Sequence, residues 1–123
     1  MKNGRYEEEG KITWYLNDKL HREDGPAIEW ADGDKQWLIN GHCHREDGPA
    51  VEYSDGSKYW WIDGKPHRED GPAVEYANGK KFWYLNGIQL SEQEFNHFLM
   101  KKELNYNLNE EPKSKPTQKR LKI

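Results

Sequence analysis

The seven-residue block HREDGPA occurs three times in this chain, starting at His21, His44 and His67. Each copy opens a segment of 23 residues, and the segments read HREDGPAIEWADGDKQWLINGHC, HREDGPAVEYSDGSKYWWIDGKP and HREDGPAVEYANGKKFWYLNGIQ. Residues 7–20 match the second half of a segment, because Trp14 falls 23 residues before Trp37. Since so short a unit rarely buries its own apolar surface, neighbouring units must stack and the fold must grow in one direction.

The composition is polar, with 33% hydrophobic and 33% charged residues and a mean hydropathy of -1.26. Such a chain approaches the range in which burial no longer offsets the entropy of ordering. However, six Trp, seven Tyr and three Phe residues recur mostly at fixed places in the unit, and each ring can remove about 150–250 Å² from water. The sequence therefore predicts a folded sheet held by aromatic packing.

Several protein classes are disfavoured by the sequence. Cys43 is the only cysteine, which rules out a disulfide within the chain, and we expect a cytoplasmic protein without membrane insertion, since no apolar run approaches ~20 residues. The net charge is -3, but residues 112–123 carry five basic and no acidic side chains, which leaves the rest at -8. An acidic body disfavours direct nucleic-acid binding and favours a basic partner.

Two Asp-Gly or Asn-Gly pairs in each unit predict β-hairpin turns. The first set is Asp32-Gly33, Asp55-Gly56 and Asn78-Gly79, and the second is Asn40-Gly41, Asp63-Gly64 and Asn86-Gly87. A two-residue loop at Asp55-Gly56 places Val51 opposite Trp60. We therefore predict a mainly β fold: an elongated single-layer antiparallel meander of 23-residue hairpin repeats with a C-terminal capping helix.

Alternation along the strands then assigns the side chains to two faces. The predicted core face collects aliphatic and aromatic residues that recur in every unit: Ile28, Val51, Val74, Trp30, Tyr53, Tyr76, Trp14, Trp37, Trp60, Trp83, Leu16, Ile39, Ile62 and Leu85. The opposite face carries Ala27, Ala50 and Ala73 and a changing series of larger residues. Its predicted binding residues are Tyr15, Leu38, Tyr59, Trp61, Phe82, Tyr84, Glu52 and Glu75. Exposed rings are typical of binding surfaces, but packing within the chain or against a second copy also accounts for them.

The repeat pattern breaks after Gly87, where Ser91 and Glu94 form a capping box that predicts the start of a helix. The predicted organisation is a half repeat over 1–20, three full repeats over 21–90, a capping helix over 91–105 and a flexible basic tail over 106–123.

The HRED block contains residue types that metals and acid-base catalysis use. The three histidines should nevertheless lie about 10 Å apart, whereas the ligands of a metal all lie within about 2.3 Å of the ion. The favoured interpretation is a structural ladder in which Arg45 pairs with an acid of a neighbouring unit. A site at His42-Cys43-His44 is disfavoured because adjacent strand residues point to opposite sides. We predict no cofactor, no metal and no catalytic residue.

The stretch EYSDGSKYWWIDGKPHREDG resembles the MORN-type repeat, whose units also span about 23 residues. The resemblance covers residues 6–90, and within one unit the matching positions are Tyr53, Asp55-Gly56, Tyr59, Ile62, Asp63-Gly64 and His67. HRED replaces the His-Gly of the family, and a tryptophan or comparable residue replaces its central glycine. The chain is also similar to small repeat proteins of bacteriophages and large viruses. The resemblance implies a curved sheet of hairpins that holds a protein partner, or sometimes lipid, and no reaction.

The sequence thus predicts a non-enzymatic protein-binding module. With the viral resemblance, the expected partner is a host protein such as a nuclease or another antiviral defence factor, in the host cytoplasm. Two alternatives stay open: a structural repeat protein that forms homodimers, and a metal-dependent enzyme that uses the HRED blocks.

Overall fold

The structure is a computed structural model that describes residues 1–109, and within that range the chain forms fourteen β-strands and one α-helix. The strands are β1 (Gly4–Glu8), β2 (Lys11–Leu16), β3 (Lys19–Leu20), β4 (Ile28–Trp30), β5 (Lys35–Gln36), β6 (Leu38–Ile39), β7 (His42–Cys43), β8 (Val51–Glu52), β9 (Lys58–Tyr59), β10 (Trp61–Ile62), β11 (Lys65–Pro66), β12 (Val74–Glu75), β13 (Lys81–Leu85) and β14 (Ile88–Leu90). The helix α1 spans Glu92–Asn109.

The main sheet runs in the order β1-β2-β4-β5-β8-β9-β12-β13-β14, and its pairs are antiparallel. The order follows the chain, because each unit adds one hairpin next to the hairpin of the previous unit. The prediction of a mainly β, antiparallel meander followed by a C-terminal helix is confirmed.

A second hairpin follows in each unit and forms the pairs β6-β7, β10-β11 and β13-β14. In the first of them Ile39 lies opposite His42, so the loop is Asn40-Gly41 alone. Both loop residues have positive φ, 49° for Asn40 and 83° for Gly41, as a type I′ turn requires. The second set of predicted turns is therefore confirmed.

The first set of turns is one residue longer than predicted. Val51 lies opposite Tyr59, not Trp60, and Glu52 lies opposite Lys58. The Gly56 amide donates to the Tyr53 carbonyl at 2.9 Å, and Gly56 has a φ of 100°. This is the three-residue hairpin loop in which a type I turn is followed by a glycine with positive φ. Because side chains alternate, the one-residue shift moves the second strand of each hairpin to the other face.

The observed register gives the main sheet two faces of different chemistry. Residues directly opposite one another on what we call the first face are Thr13, Ile28, Gln36, Val51, Tyr59, Val74 and Phe82. On the second face the corresponding row is Ile12, Glu29, Lys35, Glu52, Lys58, Glu75 and Lys81. Acids and lysines alternate from Glu29 onward, and opposite charges on facing strands stabilise a sheet.

The core differs from the predicted one in three respects. Ala27, Ala50 and Ala73, predicted on the open face, are fully buried. Tyr53, Tyr76 and Leu16, predicted in the core, are 38%, 39% and 42% exposed. Tyr59 and Phe82, and not Trp60 and Trp83, lie opposite the valines, because the register of the second strand is shifted by one residue. Ile28, Val51 and Val74 are buried as predicted, and Ile28 packs with Ala27 and Leu38 in a cluster that also contacts Leu20, Trp30 and Cys43.

The capping box at Ser91 is confirmed. The Ser91 amide donates to Glu94 Oε1 at 2.8 Å, and the Glu94 amide donates to Ser91 Oγ at 3.0 Å. The helix continues to Asn109, beyond the predicted end at 105, and the rest of the predicted tail, 110–123, lies outside the described residues.

The chain divides into two compact parts, the first of which comprises Met1–Leu90 and contains all the repeats. The second part begins at Ser91, and in it the rings of Phe95 and Phe98 lie 5.8 Å apart. The role of the helix as a lid stays a prediction. Among the described residues no helix is both long and apolar enough to span a membrane.

Candidate functional site

Four rings form a continuous line on the first face of the main sheet, and we call Tyr53, Tyr59, Tyr76 and Phe82 the aromatic row. Successive ring centroids lie 5.4, 5.9 and 5.8 Å apart, and the planes meet at 73°, 90° and 80°. These are edge-to-face contacts, the arrangement in which the positive edge of one ring meets the negative face of the next.

The repeat and the three-residue loop together produce the row. Tyr59 and Phe82 are directly opposite the buried Val51 and Val74. Tyr53 and Tyr76 follow these valines by two residues, so they point to the same face and reach the rings diagonally. Tyr53 and Tyr76 are partly open to solvent. The row therefore presents partly exposed rings next to the buried valines.

Burial and the neighbouring tyrosines affect the chemistry of Tyr59. Burial is the largest cause that raises the pKa of this phenol to about 12, and a hydrogen bond and charge interaction with Tyr76 add to it. Tyr59 is therefore a neutral hydrogen-bonding group at any physiological pH.

The structure brings together only part of the predicted binding face. Tyr59 and Phe82 stand in one row, but with Tyr53 and Tyr76, which were predicted in the core. Trp61 and Tyr84 lie on the second hairpins, in β10 and β13. Leu38 is buried, at 6% exposure, and so is not available to a partner.

Tyr15 lies at the other end of the sheet, away from the aromatic row in strand order. Its ring meets that of Tyr6 at 86°, and Lys2 Nζ lies 4.6 Å from the Tyr15 ring centroid. The predicted binding residues did not include Tyr53 and Tyr76. A three-residue loop at the Asp-Gly and Asn-Gly pairs, which the sequence also allows, would have placed these tyrosines on the same face as Tyr59 and Phe82.

Glu52 and Glu75 turn to the second face and bind arginines of the HRED blocks. Arg68 Nη1 donates to Glu75 Oε2 at 3.2 Å and to the Pro72 carbonyl at 3.0 Å, while its Nε donates to Asp70 Oδ1 at 2.9 Å. Arg45 makes the same contacts with Glu52, Pro49 and Asp47. The predicted pairing of Arg45 with a neighbouring unit is wrong, because these acids belong to its own unit.

Each of these arginines also lies over a tryptophan ring. The guanidinium carbon of Arg68 is 3.8 Å from the Trp60 ring centroid, and the distance is 3.9 Å for Arg45 over Trp37. A Cβ on Gly71 would lie 2.9 Å from the guanidinium carbon of Arg68, so a larger residue there would displace the guanidinium. The HREDG block is thus a compact structural loop in which arginine is held by stacking and by hydrogen bonds.

The histidines of the blocks connect this loop to the next turn. His44 Nδ1 accepts the Asp63 amide at 3.0 Å, and Nε2 lies 3.2 Å from Glu46 Oε2. Since Nδ1 accepts, the proton of the neutral ring is on Nε2 and is donated to the glutamate. His21 and His67 bind the amides of Asn40 and Asn86 in the same way. Imidazoles used in this manner at every repeat have a structural role.

A cleft of about 790 Å³ lies between the first two HRED loops. Its rim carries the carboxylates of Glu23, Asp24, Glu46 and Asp47, whose side chains are 79–89% exposed. Trp37 and Ile39 form part of its wall. The cleft is therefore lined by both acidic and apolar side chains.

Among the described residues no three His, Cys, Asp or Glu side chains converge as metal ligands would. In the His42-Cys43-His44 cluster, His42 and Cys43 lie in β7, and His44 is engaged by the Asp63 amide. Burial raises the pKa of the Cys43 thiol, which disfavours the thiolate that a soft metal needs.

The comparisons with known proteins place no constraint on this site. No protein-family model matches the chain, and neither characterised proteins nor solved structures give a significant match.

Proposed function

We propose that this protein is a non-enzymatic binding module that contacts another protein through the aromatic row. The observation that carries the proposal is the unbroken chain of four edge-to-face rings, partly open to solvent, on one sheet face. Tyrosine supplies a large contact area with few rotatable bonds, which is why it is enriched at the centres of protein interfaces.

The backbone beneath the row is held in place by bonds between units, which lowers the entropy cost of binding. Ser57 is 5% exposed, and its Oγ accepts the Ala77 amide of the next unit at 2.9 Å. One unit earlier, Asp34 Oδ1 accepts the Ser54 amide at 2.7 Å. The turns that carry Tyr53 and Tyr76 are therefore fixed relative to each other before any partner arrives.

The test is capture of partners from a cell lysate with a double variant, Tyr53→Ala with Tyr76→Ala. Both rings are partly exposed, and the three edge-to-face contacts that are lost contribute about 3 kcal/mol together, less than the stability of a typical domain, so the fold should survive. We expect the partner captured by the unmodified protein to be lost. The matched control is Tyr106→Ala, which removes an exposed tyrosine from the helix and should leave capture unchanged. Equal capture by the double variant would reject the aromatic row as the binding surface.

A second candidate surface is formed by the HRED loops and would bind a basic partner. Each loop holds a glutamate next to its histidine and an aspartate next to its arginine, and Asp24, Asp47 and Asp70 are 86–89% exposed. Carboxylates at a fixed period can occupy a groove that otherwise binds phosphates. A host nuclease or another protein that handles nucleic acid has such a groove, and that class of partner is part of this proposal.

Salt and two variants separate the two surfaces. Binding through the loops should weaken steeply as salt rises, and should be lost in Glu46→Gln with Asp47→Asn, which keep the size of both side chains. Binding through the aromatic row should resist both changes. Partner binding that survives high salt and the double amide variant would reject the loops.

A further inference from the structure

The strand β1 forms one edge of the main sheet, and its outward backbone groups can be identified from the hydrogen bonds of β2. Trp14 donates its amide to the Ala27 carbonyl at 2.8 Å and accepts from the His21 amide at 2.9 Å, so both of its groups point away from β1. Arg5 lies opposite Trp14 in a pair without hydrogen bonds, and its amide and carbonyl therefore point outward. Glu7 points the same way, since it is two residues further along.

Nothing in the part of the chain that the structure describes pairs with this outer edge, where β2 is the one neighbour of β1. The strand has five residues without proline and pairs one-to-one with β2, so its edge is blunted only by charged side chains. The side chains of Arg5 and Glu7 are 47% and 68% exposed, and their bond of 3.1 Å to each other is free to exchange.

We propose that β1 pairs antiparallel with β1 of a second copy of this chain, with Tyr6 opposite Tyr6 of the second copy. In this register Arg5 of each copy faces Glu7 of the other, and these are the residues whose amides and carbonyls point outward. Four backbone hydrogen bonds and two opposite-charge pairs form across the two-fold axis. The two Tyr6 rings meet at the central pair without hydrogen bonds, where side chains are closest. The strand is self-complementary in charge, so a second copy is the partner that the edge fits.

Charge exchange tests the register. Sedimentation equilibrium of the full chain should give twice the monomer mass of 14.6 kDa at high protein concentration. Glu7→Arg makes every facing pair positive and should weaken the dimer at least about tenfold, and Arg5→Glu should do the same with negative pairs. A mixture of these two variants should form a heterodimer, because the two positive side chains of one variant then face the two glutamates of the other. Glu9→Arg, with the same charge change beyond the strand, is the control and should still dimerise.

A disulfide tests the position of the axis. Tyr6→Cys in a Cys43→Ala background places two thiols at the axis, where the Cα atoms are about 4.5 Å apart, close enough for a disulfide. Arg5→Cys in the same background leaves its two Cα atoms about 8 Å apart, too far for one. We expect rapid oxidation to a covalent dimer for the first variant alone.

A single species of monomer mass at all concentrations would overturn the proposal, as would a dimer unaffected by Glu7→Arg. A monomeric protein that still loses its captured partner in the Tyr53 and Tyr76 variants would leave the proposed function standing, so the two failures are distinguishable.

Discussion

Replacing Arg68 by alanine should lower the free energy of unfolding by about 3 kcal/mol. The stack on Trp60, with the side chain only 22% exposed, contributes about 1 kcal/mol. The bond to the Pro72 carbonyl contributes about 1 kcal/mol, and the ion pair with the half-buried Glu75 about as much again. The pair with Asp70, which is 86% exposed, adds at most a few tenths of a kcal/mol.

The repeat supplies a matched comparison for this variant. Arg22 occupies the same place in its unit, but its guanidinium carbon lies 4.3 Å from the Trp14 centroid, and within the described residues it has no counterpart of the bond to Glu75. Arg22→Ala should therefore cost about 1 kcal/mol less than Arg68→Ala. Urea unfolding followed by tryptophan fluorescence measures both values. A loss below about 1 kcal/mol for Arg68→Ala, or an equal loss at the two positions, would refute the argument that stacking and the glutamate hold the loop.

Two further predictions concern the row and the bonds beneath it. Ser57→Ala should cost about 1–2 kcal/mol, because it leaves the Ala77 amide without its acceptor, while Ser54→Ala, at an exposed loop position, should cost under about 0.5 kcal/mol in the same urea assay. The raised pKa of Tyr59 favours the neutral phenol in the folded state, so its contribution to stability is complete below pH 10 and is lost as the pH rises toward about 12. Ultraviolet titration of tyrosinate should show one late phenol that is missing in Tyr59→Phe, and a late phenol that persists in this variant would contradict the assignment.

The second hairpin of each unit and the start of the helix followed from local chemistry. Asn40 and Asn86 tolerate the left-handed conformation that a two-residue turn demands, and Ser91 with Glu94 satisfies the free amides of a helix. These elements depend on neighbouring residues alone, and for that reason their sequences predict them.

The first turn could not be predicted in this way, because one dipeptide forms two kinds of loop. Asp55-Gly56 closes a three-residue loop, in which the Asp55 side chain accepts the Ser57 amide at 2.8 Å and glycine alone has positive φ. Asp63-Gly64 closes a two-residue loop, in which Asp63 itself has a φ of 50°. The choice depends on which register buries Ala50 and Val51, a property of the stacked units and not of the turn.

That single register also decides what the surface offers. The shift of one residue places Tyr59 and Phe82 on the same face as Tyr53 and Tyr76. The tryptophans lie on the other face, where they stack with arginines. The predicted mixed face of rings and acids thus became two separate surfaces, one of rings and one of acidic loops. Two surfaces of different chemistry respond to salt and to substitution in different ways, and this is what makes the two binding proposals separable by experiment.

The hydrogen bonds between successive units help to identify the residue at which the repeats end. The turn amide of each following unit finds an acceptor, but the acceptor changes: the Gly10 carbonyl for Ala31, then Asp34 Oδ1 and Ser57 Oγ for the next two. A backbone carbonyl can accept this hydrogen bond as well as a side chain can. The identity of the residue at this junction therefore does not determine whether another hairpin follows. The position 23 residues after Arg68 is different, since Ser91 stands there and begins the helix instead of covering a tryptophan. Serine has no guanidinium to stack on an indole or to form an ion pair with a glutamate, so a further unit would lack the contacts that hold the loop.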